Sequence, residues 1–368
     1  MRPNRPTGRT YIVVTRWTGH RLHYVRLLAS ASLDRGRPVT VLLPDAATAS
    51  PEYQVHLGDL DPLDRELLAD SNVAHAVRRA SELAGTEDLV VFPDGDAALA
   101  PLALHSLTRR LRTRTSVLLM RTPTRGVPWQ LRSLAVAMAK ALLVRVARPP
   151  ISIRQLTDSL RFGQPHPLFG SVSPVPDPVA TTHWPTRAEA RRTLGLDPDA
   201  FIVLAPGVMR ANKHPTLILD AWQRSPLHHR RGVRPLLVLA GNQHPRQRAG
   251  IEDRARHDPT IETHDRYLPT PELEAYIAAA DGVVLVSASE SPSGTLATAI
   301  AAQRPILVSA SNRSKALVDH HGIGVTCDAN QEALARGFDQ LHQLAPIEQW
   351  PRSAPVEAFT TPLLEPDE

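Results

Sequence analysis

The sequence predicts an α/β protein of two Rossmann-like βαβ domains facing each other across a cleft, and three observations carry that expectation. The chain has 368 residues, about two ordinary domains' worth. Short aliphatic and β-branched runs alternate with helical patterns, as in βαβ units whose parallel sheet is buried on both faces. The alternation runs twice, before and after a proline-rich break.

In chain order, the first strands are expected at Tyr11–Val14, Val39–Leu43, Leu89–Phe92, Val117–Met120 and Ile151–Ile153, with helices at Leu22–Leu33, Asn72–Leu83 and Leu99–Leu111. The break, SPVPDPVATTHWPT (Ser173–Thr186), holds four prolines and reads as a stiff extended connection. A helix at Arg187–Leu194 opens the second set. Its strands are expected at Phe201–Ala205, Leu236–Ala240, Val283–Ser287 and Pro305–Ser309, with helices at Pro215–Trp222, Pro271–Ala280 and Asn330–Leu344. The last 23 residues contain five prolines and read as an irregular tail anchored by Trp350 and Phe359. The expected divisions are 1–178, 179–345 and a Pro-rich tail, 346–368. In such sheets ligands bind beyond the carboxyl ends of the strands, so the following loops are where chemistry is sought.

Composition narrows the class. Hydrophobic content of 42% against 21% charged residues excludes a mostly disordered chain. The longest apolar candidate for a membrane span, Leu131 to Ala147, is interrupted by Arg132, Lys140 and Arg145. The apolar stretch near the N-terminus is too short for a secretory leader, and the expectation is a cytoplasmic protein. One cysteine, Cys327, excludes a disulfide framework within the chain and a Cys-rich zinc module.

Charge is unevenly spread. Residues 1–180 hold 23 Arg/Lys against 15 Asp/Glu, and residues 181–368 hold 19 against 22. The stretch 101–165 has 12 basic residues and one acid, Asp158. Such an excess suits an anionic surface or substrate; an Arg-rich solvated face is the plain alternative. Nucleic acid is not expected, because aromatics are 4% of the chain and no nucleic-acid-binding pattern accompanies the charge.

The most informative segment is FIVLAPGVMRANKHPTLILDAW (Phe201–Trp222). A strand ends at Ala205, Gly207 permits a close turn, and Arg210 and Lys213 follow before a helix at Pro215. Two cations in a strand-to-helix loop suit a diphosphate. Only three lysines occur beside 39 arginines, so Lys213 runs against a strong bias. An ammonium is a compact point charge that can serve a single phosphate oxygen; a surface lysine flanking a helix is the alternative. Further on, DGVVLVSASESPSGTLATAIAAQRPILVSAS (Asp281–Ser311) runs a buried strand into Glu290, then Ser293 and Gly294, then a small-residue helix from Thr295. A carboxylate there can accept bonds from sugar hydroxyls, and the Ser293–Gly294 turn offers backbone N–H groups to a phosphate. Glu290 taken alone is equally a capping-region acid.

Together these segments resemble the group 1 nucleotide-sugar glycosyltransferases of the GT-B fold. The resemblance covers most of the C-terminal domain, including RAEARRTLGLDPDAFIVLAPG, the Gly207-to-Lys213 spacing, LLVLAGN (Leu236–Asn242) and LPTPELEAYIAAADGVVLVSASE. It is looser in the N-terminal domain, where Gly19 and His20 follow the first strand. It implies Arg210, Lys213 and Glu290 as catalytic residues. On the donor side it implies Gly19, Gly207, Gly241, Asn242, Ser293, Gly294, Thr295 and Thr298. The family carries two glutamates separated by seven residues; Glu290 fits the first, but the second, which usually holds the ribose, falls on Thr298.

On the acceptor side, which the resemblance places in the N-terminal domain, His20, Asp96, His105 and Arg121 are the candidates, each with a solvated loop residue as the alternative. Arg121 stands where the family often has a histidine. Asp94-Gly95-Asp96 also matches the Asp-x-Asp metal motif of the other glycosyltransferase architecture. The double βαβ pattern favours GT-B, for which neither metal nor cofactor is expected.

The implied function is transfer of a sugar from a UDP- or GDP-sugar to an acceptor hydroxyl, with retention, in polysaccharide or glycoconjugate assembly. Two alternatives stay open: an inactive binding or scaffold subunit, favoured by Thr298 and Arg121, and a nucleotide-sugar epimerase or hydrolase. The basic stretch 101–165 points to a lipid-linked or anionic acceptor and to peripheral contact with the inner membrane face.

Overall fold

The computed structural model describes residues 8–18, 21–108, 112–120, 131–147, 149–158, 160, 169, 172–179, 183–286, 293–309 and 312–366. The chain divides into two compact units, Met1–Pro178 with Ala354–Glu368, and Val179–Ser353.

The N-terminal unit is built on a seven-stranded parallel sheet. Its strands are β1 (Thr10–Val13), β2 (Val39–Pro44), β3 (Asp64–Leu68), β4 (Leu89–Phe92), β5 (Arg114–Leu119), β6 (Ile151–Thr157) and β7 (Ser173–Pro176), in the order β3-β2-β1-β4-β5-β6-β7. Its first helices are α1 (Arg21–Asp34), α2 (Pro51–Leu57), α3 (Val73–Leu83), α4 (Leu99–Thr108) and α5 (Leu131–Val146). Successive strand residues point to opposite faces. Ile12, Val41 and Leu43 therefore join one buried cluster with α1, while Val13, Leu42 and Phe92 join another with α3, α4 and α5.

The C-terminal unit carries a six-stranded parallel sheet. Its strands are β8 (Phe201–Pro206), β9 (Pro235–Ala240), β10 (Ile261–His264), β11 (Gly282–Val286), β12 (Ile306–Ser309) and β13 (Gly324–Cys327), in the order β10-β9-β8-β11-β12-β13. The helices are α6 (Arg187–Leu194), α7 (Pro215–Gln223), α8 (Pro245–His257), α9 (Thr270–Ala279), α10 (Gly294–Ala301), α11 (Asn312–His321) and α12 (Gln331–Gln343). α6 starts at a capping box between Thr186 and Glu189 and stops at the left-handed Gly195. It is tied down by Arg191, whose guanidinium donates to Asp281 at 2.6 Å and to the Pro198 and Ala279 carbonyls.

Two expectations are corrected. The proline-rich break is not all connection: Ser173–Pro176 pairs with β6 as the sheet's last strand. Proline is admissible there because an edge strand has one side without ladder bonds. The last residues are not an irregular tail either. Val356–Leu364 form α13, which returns to the N-terminal unit and packs on α1 and β7. Phe359, Leu363 and Leu364 are buried in that unit's core, whereas Trp350 is only half-buried. The helix expected over Leu99–Leu111 is seen over Leu99–Thr108, and 109–111 lie outside the described residues.

Candidate active site

Each sheet reverses its strand order once. In the C-terminal unit the chain builds outward from β8 to β9 and β10, then returns to β11 on β8's other side. β8 and β11 thus flank the switch point at which a loop leaves each strand, the place where ligands bind in open parallel sheets. Arg210 and Lys213 lie in the first loop, and Ser293 to Thr298 follow the second.

The β8 loop is shaped by two glycines. Gly207 has φ +86° and donates its N–H to the Ala240 carbonyl at 2.8 Å. Gly241 has φ +132°, and a Cβ there would stand 2.6 Å from the Gly207 carbonyl oxygen. The β8 and β9 exits therefore touch backbone to backbone. Met209, fully buried, then pins the loop: its N–H donates to the Asn242 carbonyl at 2.8 Å, and its carbonyl accepts from the His244 N–H at 3.1 Å. A single 3₁₀ turn, Ala211–Lys213, follows, and His214 in left-handed geometry redirects the chain into α7 at Pro215.

That path folds Lys213 back over the end of β8. Its Nζ would lie 3.4 Å from a Cβ on Gly207, and it donates one long hydrogen bond, 3.4 Å, to the Pro206 carbonyl. Burial pushes the Lys213 ammonium below the ordinary lysine range, and the nearby Arg210 guanidinium pushes the same way. Among the described residues neither cation has a carboxylate partner within ion-pair distance. An ammonium has three N–H donors to satisfy, so the loop holds positive charge that protein groups leave largely uncompensated.

On the other side of the switch point Ser293 caps α10, its hydroxyl accepting from the Leu296 N–H at 3.3 Å. The N–H groups of Gly294 and Thr295 sit in the first turn, where no intrahelical acceptor exists. Thr298, at the position of the expected second acid, donates its hydroxyl to the Gly294 carbonyl of its own helix at 2.8 Å. A threonine inside a helix readily makes this back-bond, where a glutamate would reach outward. Glu290 lies outside the described residues, as do Gly19, His20 and Arg121.

In the N-terminal unit, Asp94 and Asp96 follow β4 and are already engaged. Asp94 pairs with Arg21 of α1, and Asp96 accepts from Lys140 of α5 at 2.7 Å. Gly95 allows this turn to press on β5, since a Cβ would collide with Val117 and the Leu118 carbonyl. The Asp-x-Asp sequence thus serves as a double brace between helices. His105 sits half-buried in the last turn of α4. Among the described residues no three His, Cys, Asp or Glu side chains converge as metal ligands.

One polar group escaped sequence reasoning. Gln243 is 3% exposed, and neither atom of its side-chain amide has a partner among the described residues, while its backbone N–H donates to Asp265 Oδ1 at 2.7 Å. The signal was the polar run Gly241–His244 directly after a wholly apolar strand.

Residues 186–349 match the family model described as glycosyl transferases group 1. By sequence alone no curated protein matches. Among solved structures, HepE of Anabaena, determined with UDP and glucose, is similar at TM-score 0.65 and 14% identity, with 96% of this chain and 97% of that one covered. Sucrose-phosphate synthase of Thermosynechococcus elongatus gives 0.64 and 16%, covering 97% and 95%. WaaG, a glycosyltransferase involved in lipopolysaccharide biosynthesis, gives 0.61 and 15%, covering 97% and 96%. At these identities the likeness speaks for the fold, two Rossmann-like units of the GT-B type. Over residues 186–349, most of its C-terminal unit, the chain is thus similar to the glycosyl transferases group 1.

Proposed function

We propose that the chain transfers a sugar from a nucleoside diphosphate sugar to an acceptor hydroxyl. The observation carrying this reading is the pair Arg210 and Lys213, with no carboxylate partner among the described residues and placed after β8 at the sheet's switch point, where the neighbouring strand β11 is followed by α10. As the bond from the anomeric carbon to the diphosphate breaks, its electron pair stays on the departing oxygen. Both cations and the first-turn N–H groups of α10 take up that charge, a preorganised arrangement in which one lost contact commonly costs about 3–4 kcal/mol of barrier. Glu290 is assigned to the donor-sugar hydroxyls. The solved structures of HepE with UDP and UDP-glucose support a uridine donor, and the family resemblance supports retention without a metal. The role of WaaG supports glycoconjugate or polysaccharide assembly, and the charge of 101–165 supports an anionic or lipid-linked acceptor.

Thermal unfolding in the presence of UDP-, GDP- and dTDP-sugars tests the reading. A cognate donor at 100 times its Kd stabilises by about 2.7 kcal/mol, and product analysis with and without acceptor separates transfer from hydrolysis or epimerisation. No response to any sugar nucleotide would favour a scaffold subunit.

A further inference from the structure

Seven large apolar side chains are exposed among the described residues, and five sit on two helices of the N-terminal unit that pack on each other. Leu104 is 63% and Leu107 54% exposed on α4; Val136 is 56%, Met138 58% and Leu142 62% exposed on α5. A surface helix ordinarily turns its apolar stripe inward and charged residues outward. α5 does not. Ala137, Ala141 and Val144 face the core, yet Ala135, Met138, Ala139 and Leu142, at helical spacing on the opposite side, are exposed and all apolar. The outer stripe ends on exposed Arg145. α4 repeats the pattern, with Leu99, Leu102 and Ala103 inside and Ala100, Leu104 and Leu107 outside. Single exposed leucines are ordinary, but a group on two packed helices marks an interaction surface.

Charge identifies the partner. The stretch 101–165 carries 12 basic residues and one acid; Arg154 is buried and Lys140 pairs with Asp96, while exposed Arg112 and Arg145 follow or end the two helices. A second copy on this face would set one basic rim against another, which costs rather than gains. An anionic bilayer takes both components: apolar side chains enter the boundary between headgroups and acyl chains, and arginines meet lipid phosphates. We propose that the α4–α5 face docks the N-terminal unit on an anionic lipid bilayer. This goes beyond glycosyl transfer and does not depend on it.

Co-sedimentation of the full chain with vesicles of phosphatidylcholine alone, or with about one third phosphatidylglycerol, tests the proposal. Met138→Asp/Leu142→Asp and Arg112→Glu/Arg145→Glu serve as variants, each checked for its thermal response to UDP. The expected result is binding to the anionic vesicles that falls with salt. The apolar variant loses roughly tenfold or more, the charge variant loses the anionic preference, and both keep the UDP response of the parent chain. A chain that sediments with vesicles but ignores UDP would leave the docking face standing and sink the donor reading. No vesicle binding, equal binding to neutral vesicles, or unchanged binding by both variants would overturn the proposal. A dimer split by Met138→Asp/Leu142→Asp, without vesicle binding, would overturn it too and give the face to a second copy.

Discussion

Gly241, at the exit of β9 against the β8 loop, has less latitude than most positions. Its φ of +132° is foreign to side-chain-bearing residues, and a Cβ would meet the Gly207 carbonyl carbon at 2.7 Å. Gly241→Ala is expected to cost about 1–3 kcal/mol in stability and to weaken UDP binding, because the exit of β8 must shift to accommodate it. Gly250, in the middle of α8 with nothing within 4 Å of its would-be Cβ, is the contrast. Gly250→Ala removes backbone freedom from the unfolded chain and should stabilise by about 0.5–1 kcal/mol with UDP affinity unchanged. Denaturant titration and UDP calorimetry on both variants check the pair. Lys213 sets a pH dependence. Its folded pKa lies below the ordinary 10.5 of the unfolded chain, so its charge costs stability at neutral pH. That cost disappears as pH rises through the folded value toward 10.5. A bound diphosphate favours the protonated form, so UDP affinity should fall across the same window, with proton uptake on binding. A flat affinity there would detach Lys213 from the donor.

Among elements, the interior strands were legible and the edges were not. β1, β2, β4, β8, β9, β11 and β12 are apolar on both faces and announce themselves as short unbroken runs. β3, β7, β10 and β13 are the four sheet edges, and they read DRELL, SPVP, IETH and GVTC. An edge strand is covered on one side only, so its sequence need not be apolar, and it tolerates the prolines that disguised β7 as a linker. α13 was hidden the same way, by Pro355, Pro362 and Pro366, although Phe359, Leu363 and Leu364 have the spacing of one helical face. Phe359 lies with its ring 5.0 Å from that of Tyr24, whose hydroxyl donates to buried Asp177 at 2.7 Å. Phe359→Ala should therefore cost about 3–5 kcal/mol and unfold the N-terminal unit first. Limited proteolysis would show cleavage starting within 8–178 and not within 183–353.

Across the whole molecule, the double βαβ rhythm made the fold legible, because two buried parallel sheets demand it. The proposed donor site was legible in part. A lysine in a chain of arginines marked the β8 loop, and the small-residue start of α10 marked its neighbour. What Thr298 and the Asp94–Asp96 pair do was not legible, since a side chain's partner is decided by tertiary packing and not by its spacing. The outward apolar faces of α4 and α5 were equally hidden: sequence shows that a helix is apolar all round, and only the fold shows which side is left uncovered.

In the proposed function Lys213 and Arg210 grip a diphosphate. Isothermal titration of UDP, paired with turnover of the donor found by thermal protection, tests it on the parent chain and on Lys213→Ala. The variant should fold as the parent does, bind UDP at least tenfold more weakly, and turn over about two or more orders of magnitude more slowly. Parent-like binding and turnover in Lys213→Ala would contradict it.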